Sequence, residues 1–156
     1  MVIFKTEVDV EGLTGNAIYD FFINCTAEEY QKWWEGTHLI YRTLKRYPDD
    51  FGNVVLMDEY IGIYRVTLNA VVSRAISGVE IVWQMKKIVK MPAWVSISFE
   101  ERKNGVKVIH KITAGFKGIG KIFDVIFKIF LSRDFEKAMD EHAKTEFLKL
   151  RAVLQK

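Results

Sequence analysis

Apolar and polar residues alternate at the start of the chain. Over residues 2–10, Val2, Phe4, Val8 and Val10 fall on one side and Lys5, Glu7 and Asp9 on the other. This period of two marks a half-buried strand, and Gly12 ends it. Over residues 13–24 the spacing turns helical (Leu13, Ala17, Ile18, Phe21, Phe22), with Thr14 placed to cap the segment. Thr26 followed by Glu29 has the S/T-x-x-E form of a capping box and opens a second short helix through Glu29, Tyr30, Trp33 and Trp34, closed by Gly36. Helical periodicity then gives way to strand-like stretches at 39–46, 54–61, 66–76, 79–87 and 95–102. Their separators are turn-formers: Pro48-Asp49-Asp50, Gly62, Ser77-Gly78 and Pro92. Asn104-Gly105 is the strongest short hairpin signal and leads into a last strand at 106–116. Residues 119–131 are apolar at helical spacing, interrupted by Lys121, Asp124 and Lys128. They read as a core-facing amphipathic helix, with a membrane-surface helix as the alternative.

Residues 132–156 form one long helix in this reading. Ser132 is a good N-cap, Asp134 and Glu136 suit the positive end of the helix dipole, and no Gly or Pro interrupts the run. At 100° per residue Phe135, Met139, Leu150 and Val153 share one arc, and so do two polar residues, His142 and Glu146. Residues four apart sit one above the other, so the core-facing side presents an imidazole over a carboxylate. A buried carboxylate is costly unless it is paired or bound to a metal.

The order β-α-α-β-β-β-β-β-β-α, with short turns between consecutive strands, predicts an antiparallel sheet with one long helix on one face, an α+β class. A length of 156 residues suits one domain spanning 1–156. The chain is 49% hydrophobic and 28% charged, which argues against disorder. A net charge of +3, without a dense basic stripe, argues against a nucleic-acid partner. No apolar run approaches the ~18 residues of a membrane span, so no stable membrane insertion is expected. The amino terminus has a strand pattern rather than the basic and apolar regions of a signal peptide. With Cys25 alone no internal disulfide is possible, and the cytoplasm is the expected location. Cys25 itself reads as structural. Trp33, Trp34, Trp83 and Trp94 read as core, with the lining of a cavity as the alternative.

Three histidines carry the candidate chemistry. His110 shares a strand face with Val108, Ile112 and Ala114, opposite Lys107 and Lys111, and so points inward. His142 is on the inward arc of the helix. His38 follows the second short helix in the stretch Trp33-Trp34-Glu35-Gly36-Thr37-His38 and is placed at the mouth of a cavity or inside it. At 54–61, Val55, Met57, Glu59 and Ile61 share one face, and Val54, Leu56, Asp58 and Tyr60 share the other. Either Asp58 or Glu59 therefore accompanies the inner apolar residues. Three histidines with one or two carboxylates suit Zn²⁺.

The element order, with the stretch from Ser77 to Lys87 (SGVEIVWQMKK) followed by a strand and the final helix, resembles the helix-grip fold of the Bet v 1-like and START-related superfamily, including polyketide cyclase-like proteins. The resemblance covers nearly the whole chain. It implies a seven-stranded antiparallel curved sheet gripping the C-terminal helix, with a cavity between them for a hydrophobic or aromatic small molecule. More narrowly, the set His38, Glu59, His110 and His142-x-x-x-Glu146 resembles the zinc-dependent diacetylphloroglucinol hydrolases, which cleave a carbon–carbon bond between an acyl group and a phenolic ring. That resemblance implies zinc held by His38, Glu59, His110, His142 and Glu146. It makes Tyr30, in the place of a substrate-holding tyrosine, and Glu59 the catalytic candidates. Where that family has an asparagine just after its first histidine, this chain has Leu39, Ile40 and Tyr41. Non-enzymatic carriage of a lipid or other hydrophobic ligand is the alternative the fold implies.

Overall fold

A computed structural model of the chain describes residues 1–86, 90–116 and 132–155. The elements run β1 (Val2–Glu11), α1 (Gly15–Asn24), α2 (Ala27–Trp33), β2 (His38–Lys45), β3 (Val54–Ile61), β4 (Tyr64–Ile76), β5 (Glu80–Lys86), β6 (Lys90–Arg102), β7 (Gly105–Ala114) and α3 (Arg133–Leu154). The expected helix at 119–131 lies outside the described residues.

The strands form one antiparallel sheet in the order β1-β7-β6-β5-β4-β3-β2. β1 closes one edge by pairing with the last strand, so α1 and α2 carry the chain from that edge to the opposite one at β2. This is the curved helix-grip sheet around a C-terminal helix that the element order predicts. The caps behave as read. Thr14 accepts from Ala17 N–H, Thr26 and Glu29 close a capping box, and Ser132 accepts from Phe135 N–H. Alternation in β1 buries Phe4, Thr6, Val8 and Val10, and in β7 it buries Val108, His110, Ile112 and Ala114. The buried face of α3 is Met139, His142, Ala143, Phe147 and Leu150. It is docked on β1 in part through the Thr6 hydroxyl, which donates to Asp140 Oδ1 at 2.9 Å.

His38 is the first residue of β2, at the start of the strand that follows the second short helix. One boundary differs from the sequence reading. Pro92, expected to separate two strands, lies inside β6. It is tolerated because the β5–β6 ladder shifts register there: Gln84 pairs with Trp94 and Lys86 with Lys90, so Met85 faces Met91, Pro92 and Ala93 together. In such a bulge the missing proline N–H breaks no ladder bond.

Candidate metal centre

β2 and β3 place the first two donors. His38 and Glu59 are direct cross-strand partners, so their side chains leave the sheet on one face. α3 supplies the other two, His142 and Glu146, one helical turn apart. His38 Nε2 lies 3.6 Å from Glu59 Oε2 and 3.6 Å from Glu146 Oε1. His142 Nε2 lies 3.7 Å from Glu59 Oε2 and 3.9 Å from Glu146 Oε2. One donor atom from each of the four residues lies within 4.8 Å of the others. Those separations are too long for hydrogen bonds. They are close to the edge of about 3.4 Å of a tetrahedron whose ligands stand at about 2.0–2.1 Å from zinc.

Both Nε2 atoms are buried and have no hydrogen-bond partner. Orphaned buried polar atoms are costly in a native structure, and an ion held between them would satisfy both. His38 is oriented for this: its Nδ1 donates to the Tyr30 carbonyl at 3.1 Å, which leaves the Nε2 lone pair facing the carboxylates. The residues present therefore fit a divalent ion with nitrogen and oxygen ligands.

The electrostatics describe a site under tension without one. Burial pushes Glu146 up to about 8 against the pull of His142, and the Glu59 charge raises it further. Burial also opposes ionisation of Glu59, but the approach and charge of His142, the Tyr30 hydroxyl and the charge on His38 outweigh it, so Glu59 stays below its ordinary value. For His142, burial is outweighed by the approach of Glu59, by both carboxylate charges and by the Tyr60 backbone, and its value is raised. Burial takes His38 down to about 4 despite Glu59.

The competition between Asp58 and Glu59 is resolved by face. Asp58 is buried away from the site, where Arg65 Nε and Nη2 donate to its two oxygens at 3.0 and 2.7 Å and the Thr67 hydroxyl donates at 3.0 Å. The third histidine, His110, stands apart from the four-donor group. It is buried in the wall of the adjoining cavity, where burial pushes it down to about 4. The Tyr30 hydroxyl donates to Glu59 Oε2 at 2.7 Å, and burial raises its pKa well above the usual phenol value. Cys25 is buried, and burial pushes its thiol up to about 12, as suits an inert structural residue.

The cavity between sheet and helix has a volume of about 690 Å³. Glu59, His110, His142 and Glu146 are its polar wall, and much of the rest is aliphatic and aromatic. Met57, Met85, Met91 and Met139 line it, which is every methionine of the chain except Met1. Thioether side chains make an adaptable wall. Thr67, Asn69 and Lys86 also border the cavity, and the Thr67 hydroxyl is turned to Asp58.

Trp33 and Trp34 join the site in a way that the sequence reading left undivided from core packing. Trp33 is core, yet its Nε1–H donates to the Glu146 carbonyl at 2.8 Å. Trp34 stacks on His142 with ring centroids 4.8 Å apart and planes 24° apart.

No protein-family model matches the chain, and no curated protein matches it. Solved structures do. The protein TTHA0849 of Thermus thermophilus superposes with a TM-score of 0.69 at 11% identity, covering 99% of each chain. The protein Ara h 8.0201 gives 0.64 at 10% identity, over 99% of this chain and 97% of that one. The di-domain ARO/CYC StfQ, from the steffimycin biosynthetic pathway, gives 0.59 at 18% identity, with 97% of this chain matching 52% of that one. The chain thus spans about half of StfQ. At these identities the likeness establishes the fold, which is the Bet v 1-like helix grip.

Proposed function

We propose that this chain holds a zinc ion on His38, Glu59, His142 and Glu146 and acts as a hydrolase on an acylated aromatic or polyketide-like compound bound in the adjoining cavity. The observation that carries the reading is the meeting of two partnerless imidazole nitrogens with two carboxylates at the polar wall of an apolar cavity. When bound, the ion supplies a Lewis acid able to polarise an acyl carbonyl. The reaction breaks the bond between acyl carbon and ring carbon; the elements of water are divided so that the acyl carbon gains the hydroxyl and the ring carbon gains a proton. His110 lines the cavity outside the four-donor group, where its imidazole is placed to hydrogen-bond the ligand. Tyr30 holds Glu59 through its hydroxyl. The hydrocarbon wall holds the ligand body and keeps bulk water away.

A second reading has its own observation. Four protein donors fill a tetrahedral shell unaided, and structural zinc sites are closed in this way whereas catalytic ones keep an open position. On that reading the protein is a carrier of a hydrophobic ligand, stabilised by its metal.

Elemental analysis after zinc-replete expression without chelator tests the metal. About one equivalent is expected in the wild type and under about 0.1 in His142→Ala/Glu146→Ala. Under about 0.1 equivalent in the wild type sinks both readings' metal. The hydrolase falls if the zinc-loaded protein releases no acyl group from acylated phenols while a hydrophobic metabolite co-purifies with it.

A further inference from the structure

α2 donates no ligand to the centre, yet it touches all four residues that do. The Tyr30 ring lies flat on His38, centroids 4.1 Å apart and planes 8° apart, and its carbonyl accepts from His38 Nδ1. The Tyr30 hydroxyl donates to Glu59, and the Trp33 indole donates to the backbone of Glu146. Trp34, at the C-cap of α2, stacks on His142. Tyr30 lies within α2 and Trp34 directly follows its last residue, so one short segment carries both plates.

The two histidines differ in how they are held. His38 has a hydrogen bond of 3.1 Å, a stacked ring and the edge of Trp33 at 4.6 Å. The His142 ring meets the Tyr60 backbone, and its Nε2 has no hydrogen-bond partner. Its carboxylate neighbours stand at 3.7 and 3.9 Å, past hydrogen-bond length, and the indole plane is its closest ring contact. The Lys149 ammonium, two turns further along α3, lies 5.5 Å from the Trp34 ring centroid and steadies the plate from the same helix that carries His142.

We infer that α2 is the positioning element of the centre and that Trp34 is the positioning residue for His142, its indole plane holding the imidazole with Nε2 toward the other three donors. The inference rests on the metal reading above and names what makes that site pre-organised. Residues that orient ligands without touching the metal typically account for 10–100-fold in affinity.

The test is a zinc titration of the full chain against a chromophoric chelator, in the wild type, Trp34→Phe and Trp34→Leu, with the visible spectrum of the Co²⁺-loaded forms as a report of ligand geometry. Trp34→Leu is expected to bind zinc roughly 10–100-fold more weakly and to lose the wild-type Co²⁺ spectrum. Trp34→Phe, which keeps a ring plane, is expected to stay within about threefold of the wild type and to keep that spectrum. Melting of the zinc-free variants checks that both are folded; if Trp34→Leu is not, Trp34→Met supplies bulk without a plane. Affinity in the Leu or Met variant equal to wild type overturns the inference, as does an equal loss in the Phe and Leu variants. A wild type that takes up no zinc removes the metal reading and the inference with it, a result distinct from tight wild-type binding that Trp34→Leu leaves unchanged.

Discussion

Asp58 and Glu59 are consecutive residues of β3, and the sheet sends them to opposite faces. On the outer face Asp58 meets a guanidinium and a hydroxyl, both from β4, and every partner is within hydrogen-bond length. On the inner face Glu59 meets one hydroxyl and two imidazoles, and the imidazoles stand off at 3.6 and 3.7 Å. The first carboxylate is neutralised by what the fold supplies locally. The second is gathered with other donors around a gap that protein atoms do not close. A buried charge with complete partners is a structural pair; a buried set of nitrogen and oxygen donors with incomplete ones has the chemistry to fit a divalent ion.

The comparison breaks most sharply by neutralising each carboxylate in turn. Glu59→Gln removes one of four donors and is expected to weaken zinc binding at least about 100-fold. Asp58→Asn is expected to leave zinc affinity unchanged and to cost about 1 kcal/mol of stability, a figure kept low because Arg65 is largely exposed and screened. Chelator competition and thermal melting on both variants give the two numbers. Loss of zinc in Asp58→Asn would show that the two faces are not independent.

How much of this was legible depends on whether one strand or several carry the information. Element order, caps and the inward faces of β1, β7 and α3 follow from local periodicity, so Thr14, Thr26, Ser132, His110 and His142 could be placed from sequence alone. The face of β3 could not, because both of its faces are apolar apart from one carboxylate. What decides it is the partner strand, which sets Thr67 across from Asp58 and brings Arg65 beside it. Ala143 and Phe147 fall outside the predicted helix arc but are buried, because the gripping sheet covers a wider stripe than a narrow arc allows. Pro92 was read as a break because a bulge is a property of two strands. The aromatic support from α2 is likewise invisible in one helix until His38 and His142 are brought to it.

The titration behaviour is the next test. In the metal-free protein His38 and His110 are held down to about 4 from 6.5. Between those values the unfolded chain binds protons there that the folded chain does not, so stability rises with pH; the proton kept on Glu146 opposes this in part. Above 6.5 the sign reverses. His142 is raised and Glu146 is pushed up to about 8, so the folded chain keeps protons that the unfolded chain has released, and stability falls until they come off. Melts in chelator are therefore expected to peak near pH 6.5 and decline toward about 8. Zinc competes with those protons, so its affinity is expected to rise over the same range and level off above about 8. A metal-free protein whose stability climbs steadily through pH 8 would contradict the assignment of both protonated groups.

The smallest expected effects come from the hydroxyl that each carboxylate owns. Tyr30 donates to Glu59 at 2.7 Å and Thr67 donates to Asp58 at 3.0 Å. Tyr30→Phe keeps the ring on His38 and removes only the donor. Glu59 then loses an orienting bond and zinc affinity is expected to fall by about tenfold, the lower end for a group behind a ligand. Thr67→Val leaves Asp58 with both bonds from Arg65, so it is expected to cost about 0.5–1 kcal/mol in stability and nothing in zinc affinity. Each substitution removes one hydroxyl donor to a carboxylate, and the two lie on opposite faces of the sheet. If Tyr30→Phe changes melting without changing zinc affinity, Glu59 is held like Asp58, as half of a structural pair, and the inner face loses its claim to a ligand.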